Sequence, residues 1–128
     1  MKAVTGIEKA PVFCPIVADF YSGMAVTVPV FAENLCEGKS IDDIIEVYKN
    51  TYNSDFVKYT ESTGNDAMLC AEKMSGSDGM EIFVKGNSER ILLIARYDNL
   101  GKGASGAAVE CMNILMGTDP KTGLTLTF

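Results

Sequence analysis

Apolar residues recur along this chain with two different periods, and the changes of period mark its elements. Over Gly23–Phe31 (Gly-Met-Ala-Val-Thr-Val-Pro-Val-Phe) they alternate closely enough for a long strand, with Pro29 marking a bulge or a sheet edge. Over Lys39–Asn53 the spacing turns helical: Ile41, Ile44, Ile45 and Tyr48 make one face and Tyr52 extends it. Ser40 is the natural N-cap of that helix, with Asp43 in the capping-box position. Asp42 and Asp43 therefore have a capping reason to stand in the first turn, which outweighs a catalytic one. Val12–Ile16, interrupted by Pro15, reads as an edge strand or a strand entry, and Phe56–Tyr59 as a short strand. Met80–Lys85 and Arg90–Tyr97 flank the turn-rich Gly86-Asn87-Ser88-Glu89 and should be antiparallel neighbours. The unbroken run Ile91–Ile94 implies burial on both faces of the sheet.

Between these periodic stretches the chain is polar. Thr60–Asp66 reads as a surface loop, Ala67–Met74 leaves strand and short helix both open, and Ser75-Gly76-Ser77-Asp78-Gly79 is the best internal candidate for disorder. The stretch Ile91–Gly117 organises the rest: an apolar strand, a glycine-rich corner, then Ser105–Met116 with Val109, Met112, Leu115 and Met116 at helical spacing and Gly117 as a left-handed cap. Such a corner leaves unpaired backbone N–H groups at a helix start, for which anionic or amide-bearing ligands are the natural tenants. Strands outnumber helices, and the Ser40–Asn53 helix has a single apolar stripe. The expected fold is thus α+β: a mixed or antiparallel sheet with helices on one face. Nothing in the chain is expected to cover the other face, which predicts self-association through the sheet as a homodimer.

Composition narrows the function classes. The chain has 128 residues, 47% hydrophobic and 22% charged, which is one globular domain's worth. Its net charge of −6 would repel phosphate backbones, so nucleic acid is not an expected partner. No apolar run is long enough to span a bilayer and no signal peptide opens the chain, so a cytoplasmic protein without a membrane partner is expected. Cys14, Cys36, Cys70 and Cys111 are widely spaced among apolar or small residues and read as reduced, mostly buried thiols. With no histidine and no Cys-x-x-Cys pair, no metal site is expected, and a general base would have to be a carboxylate, a lysine or a tyrosine.

Gly101, Gly103 and Gly106 spell Gly-x-Gly-x-x-Gly after a strand and before a helix, but the chain that follows cannot complete a dinucleotide-binding unit. The nearest acid, Asp119, precedes the short final run Leu124–Phe128, where a ribose-binding acid would have to end it. A longer match runs through the same residues. Asp98-Asn99-Leu100-Gly101-Lys102-Gly103-Ala104-Ser105-Gly106-Ala107-Ala108-Val109 resembles the Asp-Asn-Leu-x-Lys-Gly-Ala-x-Gly-x-Ala-Val segment of N-acetyl-γ-glutamyl-phosphate reductases. Upstream, Phe13-Cys14-Pro15 followed by Gly23-Met24 and Thr27 is similar to that family's Phe-Thr-Pro-x-Leu-x-x-x-x-Arg-Gly-Ile-x-x-Thr. The resemblance implies the fold of the C-terminal domain of semialdehyde and glyceraldehyde-phosphate dehydrogenases. It also implies an activity, reduction of an N-acetyl-glutamyl acyl phosphate to N-acetyl-glutamate semialdehyde with NADPH in arginine biosynthesis.

On that resemblance Asn99 would orient the nicotinamide carboxamide of NADP, with Lys102 and Gly103 adding positive potential nearby. Ser22 and Gly23 fall where the family would hold its substrate, and Ser22 replaces the family's arginine. The alternative, that Tyr21 and Ser22 only shape a loop, stays open beside it. The family's Pro-Gly-Cys nucleophile and histidine-rich segment have no counterpart here, so no catalytic residue is assigned. The resemblance then implies a fragment, inactive alone: residues 1–98 as a partial catalytic and dimerisation domain, and residues 99–128 as a corner and helix that would pack on a dinucleotide-binding domain. A stand-alone dimerisation or binding module is the alternative, recognisable by a closed apolar core. A small enzyme using Cys14 or Cys70 would need a base that the missing histidine does not supply. In the isolated chain, Asn99→Ala is expected to leave stability nearly untouched.

Overall fold

The computed structural model describes residues 1–61 and 68–128, which build one mixed sheet and three α-helices. The four strands are β1 (Met24–Phe31), β2 (Val57–Tyr59), β3 (Met80–Gly86) and β4 (Arg90–Tyr97), in the order β1-β4-β3-β2. The helices are α1 (Lys2–Thr5), α2 (Ile41–Thr51) and α3 (Gly106–Met116). The expected α+β class is therefore observed. β3 and β4 form the expected hairpin, registered from Met80 opposite Tyr97 to Gly86 opposite Ile91. Asn87 closes its turn: the Asn87 N–H donates to the Arg90 carbonyl at 2.9 Å, and the Asn87 side chain accepts from the Glu89 and Arg90 N–H groups. β2 joins parallel to β3, which makes the sheet mixed.

β1 runs antiparallel to β4, with Pro29 opposite Leu92. Just beyond the strand the Ala32 N–H donates to the Glu89 carbonyl at 3.0 Å. Alternation along an antiparallel pair then turns the N–H groups of residues 30, 28, 26 and 24 toward β4, and the nitrogen of Pro29 outward. A proline is tolerated here because the ladder never needed its hydrogen.

On one face, α2 lays Tyr48 and Tyr52 beside Val57, Met80 and Ile82, and a groove of about 330 Å³ stays open next to Val26, Val28, Leu93 and Ala95. The capping box of α2 is present: the Ser40 hydroxyl accepts from the Asp42 N–H at 3.2 Å, and the Asp43 carboxylate from the Ser40 N–H at 2.8 Å. The opposite face holds Glu81, Phe83, Ile94 and Arg96, and it is not bare as expected. The single helical turn Ala71–Met74 lies against it, with the Arg96 Nη1 donating to the Cys70 carbonyl at 3.1 Å and the Lys73 Nζ to Glu81 Oε1 at 3.1 Å. A buried Glu–Arg pair needs a lid that supplies hydrogen-bond partners, and this turn is that lid.

Other expectations are also corrected. Val12–Ile16 is not a strand: it lies exposed, and among the described residues no strand pairs with it to complete a ladder. Ser75–Gly79 is not disordered, because the C-terminal segment Thr125–Thr127 bonds to it directly. The Asp78 N–H donates to the Thr125 carbonyl at 2.7 Å, the Thr125 N–H to Asp78 Oδ2 at 2.9 Å, and the buried Ser77 hydroxyl to the Thr127 carbonyl at 2.8 Å. All four cysteines are exposed and free, since they sit on the N-terminal arm, in turns and on the outer side of α3. The loop expected over Thr60–Asp66 falls mostly outside the described residues.

Candidate functional site

The corner between β4 and α3 is built on one carboxylate. Asp98 is 3% exposed and takes four hydrogen bonds: from the Gly76 N–H at 2.6 Å and the Ser22 hydroxyl at 3.0 Å on Oδ2, and from the Leu100 N–H at 2.7 Å and the Gly101 N–H at 3.3 Å on Oδ1. Burial alone would push this carboxyl's pKa up. The bonds from Gly76, Leu100, Ser22 and Gly101 together outweigh that and hold it below the usual carboxylate value. Asp98 is thereby the true cap of the helix that follows. It satisfies the first N–H groups of a five-residue π-helical turn, Gly101–Ser105, before α3 begins.

This changes what the corner can accept. Two of the N–H groups expected to face an anion, those of Leu100 and Gly101, are already turned onto an anion of the chain's own. Lys102, expected to add positive potential, is paired with Glu110 at 2.6 Å and lies 5.0 Å from the centre of the Phe56 ring. Gly103 donates its N–H to the Asp98 carbonyl at 2.8 Å, inside the same turn. A phosphate therefore finds the Leu100 and Gly101 N–H groups and the Lys102 ammonium already engaged. A neutral amide does find a partner. Asn99 is half-buried, its Oδ1 accepts the Gly23 N–H at 2.9 Å, and its Nδ2 has no hydrogen-bond partner among the described residues. That amide group can donate to a ligand carbonyl.

Ser22 and Gly23 are drawn into the same knot. Ser22 is buried, with its hydroxyl 2.6 Å from that of Ser75 as well as bonded to Asp98. Gly23 holds φ at +127°, and a Cβ there would meet the Ala71 carbonyl at 2.6 Å, so the position admits glycine alone. Gly106 likewise gives its space to the Asp78 carboxylate, which a Cβ would strike. Gly101 and Gly106 of the Gly-x-Gly-x-x-Gly run thus let the Ser75–Gly79 loop approach the helix start. Sequence reading singled out Asn99, Lys102, Gly103, Ser22 and Gly23, and the structure gathers them around one corner. It assigned no role to Asp98, which only opened the matched segment, and it missed Gly76, Ser77 and Asp78, whose only signal was a cluster of turn-forming residues.

Two further features bear on function. α3 is apolar nearly all round yet exposed: Leu115 is 88% and Met116 68% accessible, and Met112 and Ile114 are exposed beside them. The arm before β1 shows Val12, Phe13, Ile16 and Val17 in the same way. Among the described residues no group of His, Cys, Asp or Glu could hold a metal ion, and no helix is long and apolar enough to cross a membrane.

Residues 1–99 match a family model described as semialdehyde dehydrogenase, dimerisation domain. Three curated relatives bear the name N-acetyl-gamma-glutamyl-phosphate reductase. The Allorhizobium ampelinum protein is 39% identical over 121 residues, 91% of this chain and 39% of its own length. The Rhizobium meliloti protein is 37% identical, covering 86% of this chain and 37% of its own, and the Brucella ovis protein 38% identical, covering 87% and 37%. The chain spans less than two-fifths of the length of each of these relatives.

Proposed function

Because the chain belongs to the semialdehyde dehydrogenase dimerisation-domain family, we propose that it is the dimerisation part of an NADPH-dependent N-acetyl-glutamyl-phosphate reductase of arginine biosynthesis, acting in the cytoplasm. The observation that carries this is the agreement of relatives of one name along nearly the whole chain, including the corner at Asn99. The chain itself is inactive in this reading, since the family's nucleophile and histidines lie on other segments. Its sheet joins two copies, through the open groove beside Val26 and Val28.

The corner fits a nicotinamide amide better than a phosphate, because its unused group is the Asn99 Nδ2 while Leu100 N–H, Gly101 N–H and Lys102 are already engaged. Asn99 would hold the carboxamide, and Gly103 and Lys102 would shape the turn behind it. Ser22 and Gly23 would border the substrate through their backbone, since the Ser22 hydroxyl faces Asp98. NADPH, when bound, supplies the hydride. The exposed apolar surfaces of α3 and of the arm favour this reading over a self-contained module, which would leave no such surface open. They are the natural seats for a dinucleotide-binding domain and for its neighbours.

The test is a chimera in which this chain replaces the matching segment of the Rhizobium meliloti relative, assayed for phosphate-dependent oxidation of N-acetyl-glutamate semialdehyde by NADP. Activity is expected, with a several-fold higher KM for NADP after Asn99→Ala. A folded chimera without activity overturns the substrate assignment.

A further inference from the structure

The direction in which the Asn99 amide points is not fixed by Asn99. Its Oδ1 is held by the Gly23 N–H, and Gly23 is held in turn by what lies on either side of it. Ser22, its neighbour, is buried with its hydroxyl on Asp98 and against the Ser75 hydroxyl. On the other side, the absent side chain lets the Ala71 carbonyl close on the Gly23 α-carbon. Asp98 also bonds the Gly76 N–H, which anchors the segment carrying Ala71 and Ser75, and the Leu100 and Gly101 N–H groups, which anchor the turn carrying Asn99. One carboxylate therefore fixes both ends of the bond between Gly23 and Asn99.

From this geometry we infer that Asp98, acting through Ser22 and Gly23, is a positioning residue that keeps the Asn99 amide with Oδ1 turned inward and Nδ2 outward. The Asn99 side chain then turns its donor outward while its oxygen is engaged by the Gly23 N–H. Its NH2 takes the carbonyl of a ligand amide. This deepens the cofactor reading above and rests on it for its meaning, but the geometry is tested without any cofactor. A ligand with a ring carbonyl and no NH2 would satisfy the corner as well as a carboxamide does.

The experiment is nuclear magnetic resonance on the 15N-labelled chain. In the native sequence the Gly23 amide exchanges slowly with solvent, and the two Asn99 side-chain protons resonate apart from free asparagine, with a cross-peak linking Asn99 to Gly23. In Asp98→Asn, Gly23 exchange is expected to rise about tenfold or more and the Asn99 pair to move to free-asparagine positions, while amides of the central strands such as Phe83 and Ile94 stay protected. Ser22→Ala removes the hydroxyl's contacts with Asp98 and Ser75 but leaves the three backbone bonds to Asp98, and should give a smaller change of the same kind, which keeps the inference testable if Asp98→Asn does not fold. Asn99→Asp should preserve Gly23 protection, because an acceptor remains in place. The inference is overturned if Gly23 and Asn99 are unchanged in a folded Asp98→Asn or Ser22→Ala chain, or if Asn99→Asp loses Gly23 protection. Either result leaves the chimera assay free to succeed or fail independently.

Discussion

Glu81 and Arg96 stand opposite each other across β3 and β4, both buried, with Arg96 Nε and Nη2 donating to Glu81 Oε2 at 2.9 and 2.6 Å. The guanidinium also lies 5.0 Å from the centre of the Phe83 ring. Removing one partner strands a charge in a site built to neutralise it, so Glu81→Leu should cost about 3–5 kcal/mol in urea unfolding. The double change Glu81→Leu with Arg96→Met should recover most of that loss. A double variant as unstable as Glu81→Leu would show that the Cys70 and Lys73 contacts, and not the pair, hold this face together.

Asp98 makes stability depend on pH in a defined direction. Its folded pKa lies below the ordinary carboxylate value, so at pH values just below about 4 the folded chain binds fewer protons than the unfolded one. The stability it contributes is full above that value and is lost as pH falls through the folded pKa. Asp98→Asn should flatten the acid limb of the pH profile. Asp43, held at about 2 by Lys39 and Ser40, and the paired Asp55 and Glu61 add slopes of the same sign, so the comparison must be with the native chain. An unchanged acid limb in a folded Asp98→Asn chain counts against the assignment.

The capping box at Ser40 predicts a modest local effect. Ser40→Ala should lower stability by about 1 kcal/mol and reduce helical ellipticity slightly, without changing the sheet. Ser40→Asp should restore most of it.

The proposed pairing of two copies through the open groove predicts that a charge placed there separates them. Val28 is 50% exposed on the groove side, so Val28→Glu should leave the fold intact and convert a sedimenting dimer to monomer at tens of micromolar. Retention of the dimer by Val28→Glu would move the interface elsewhere.

The expectation that Asn99→Ala leaves the stability of the isolated chain nearly untouched is revised, because Asn99 accepts the Gly23 N–H. A loss of about 0.5–1.5 kcal/mol in thermal unfolding is expected, and none at all would mean that this bond is dispensable.

The elements legible in advance were those fixed by local rules. The Ser40 cap, the Asn87 turn and the left-handed Gly117 each need only a few adjacent residues, and each stands where expected. What escaped depends on residues far apart in sequence. Ser77 and Asp78 looked like a flexible loop because their partners, Thr125 and Thr127, lie 47 or more residues on. Asp98 reads locally as the end of a strand, while its burial depends on Ser22, 76 residues earlier. The cysteines illustrate the opposite error: apolar neighbours in sequence implied burial, but Cys111 sits on a helix whose apolar surface faces outward.

Pro29 has a consequence for how copies of this chain can accumulate. Along the outer side of β1 the donors belong to residues 25, 27, 29 and 31, and the one at 29 is missing. A visiting strand would find its ladder interrupted after two rungs from one direction and a single rung from the other. Ribbon growth by edge-to-edge zippering is thereby discouraged, and association is diverted to closed contacts between faces, which end at a fixed number of copies instead of extending into fibres.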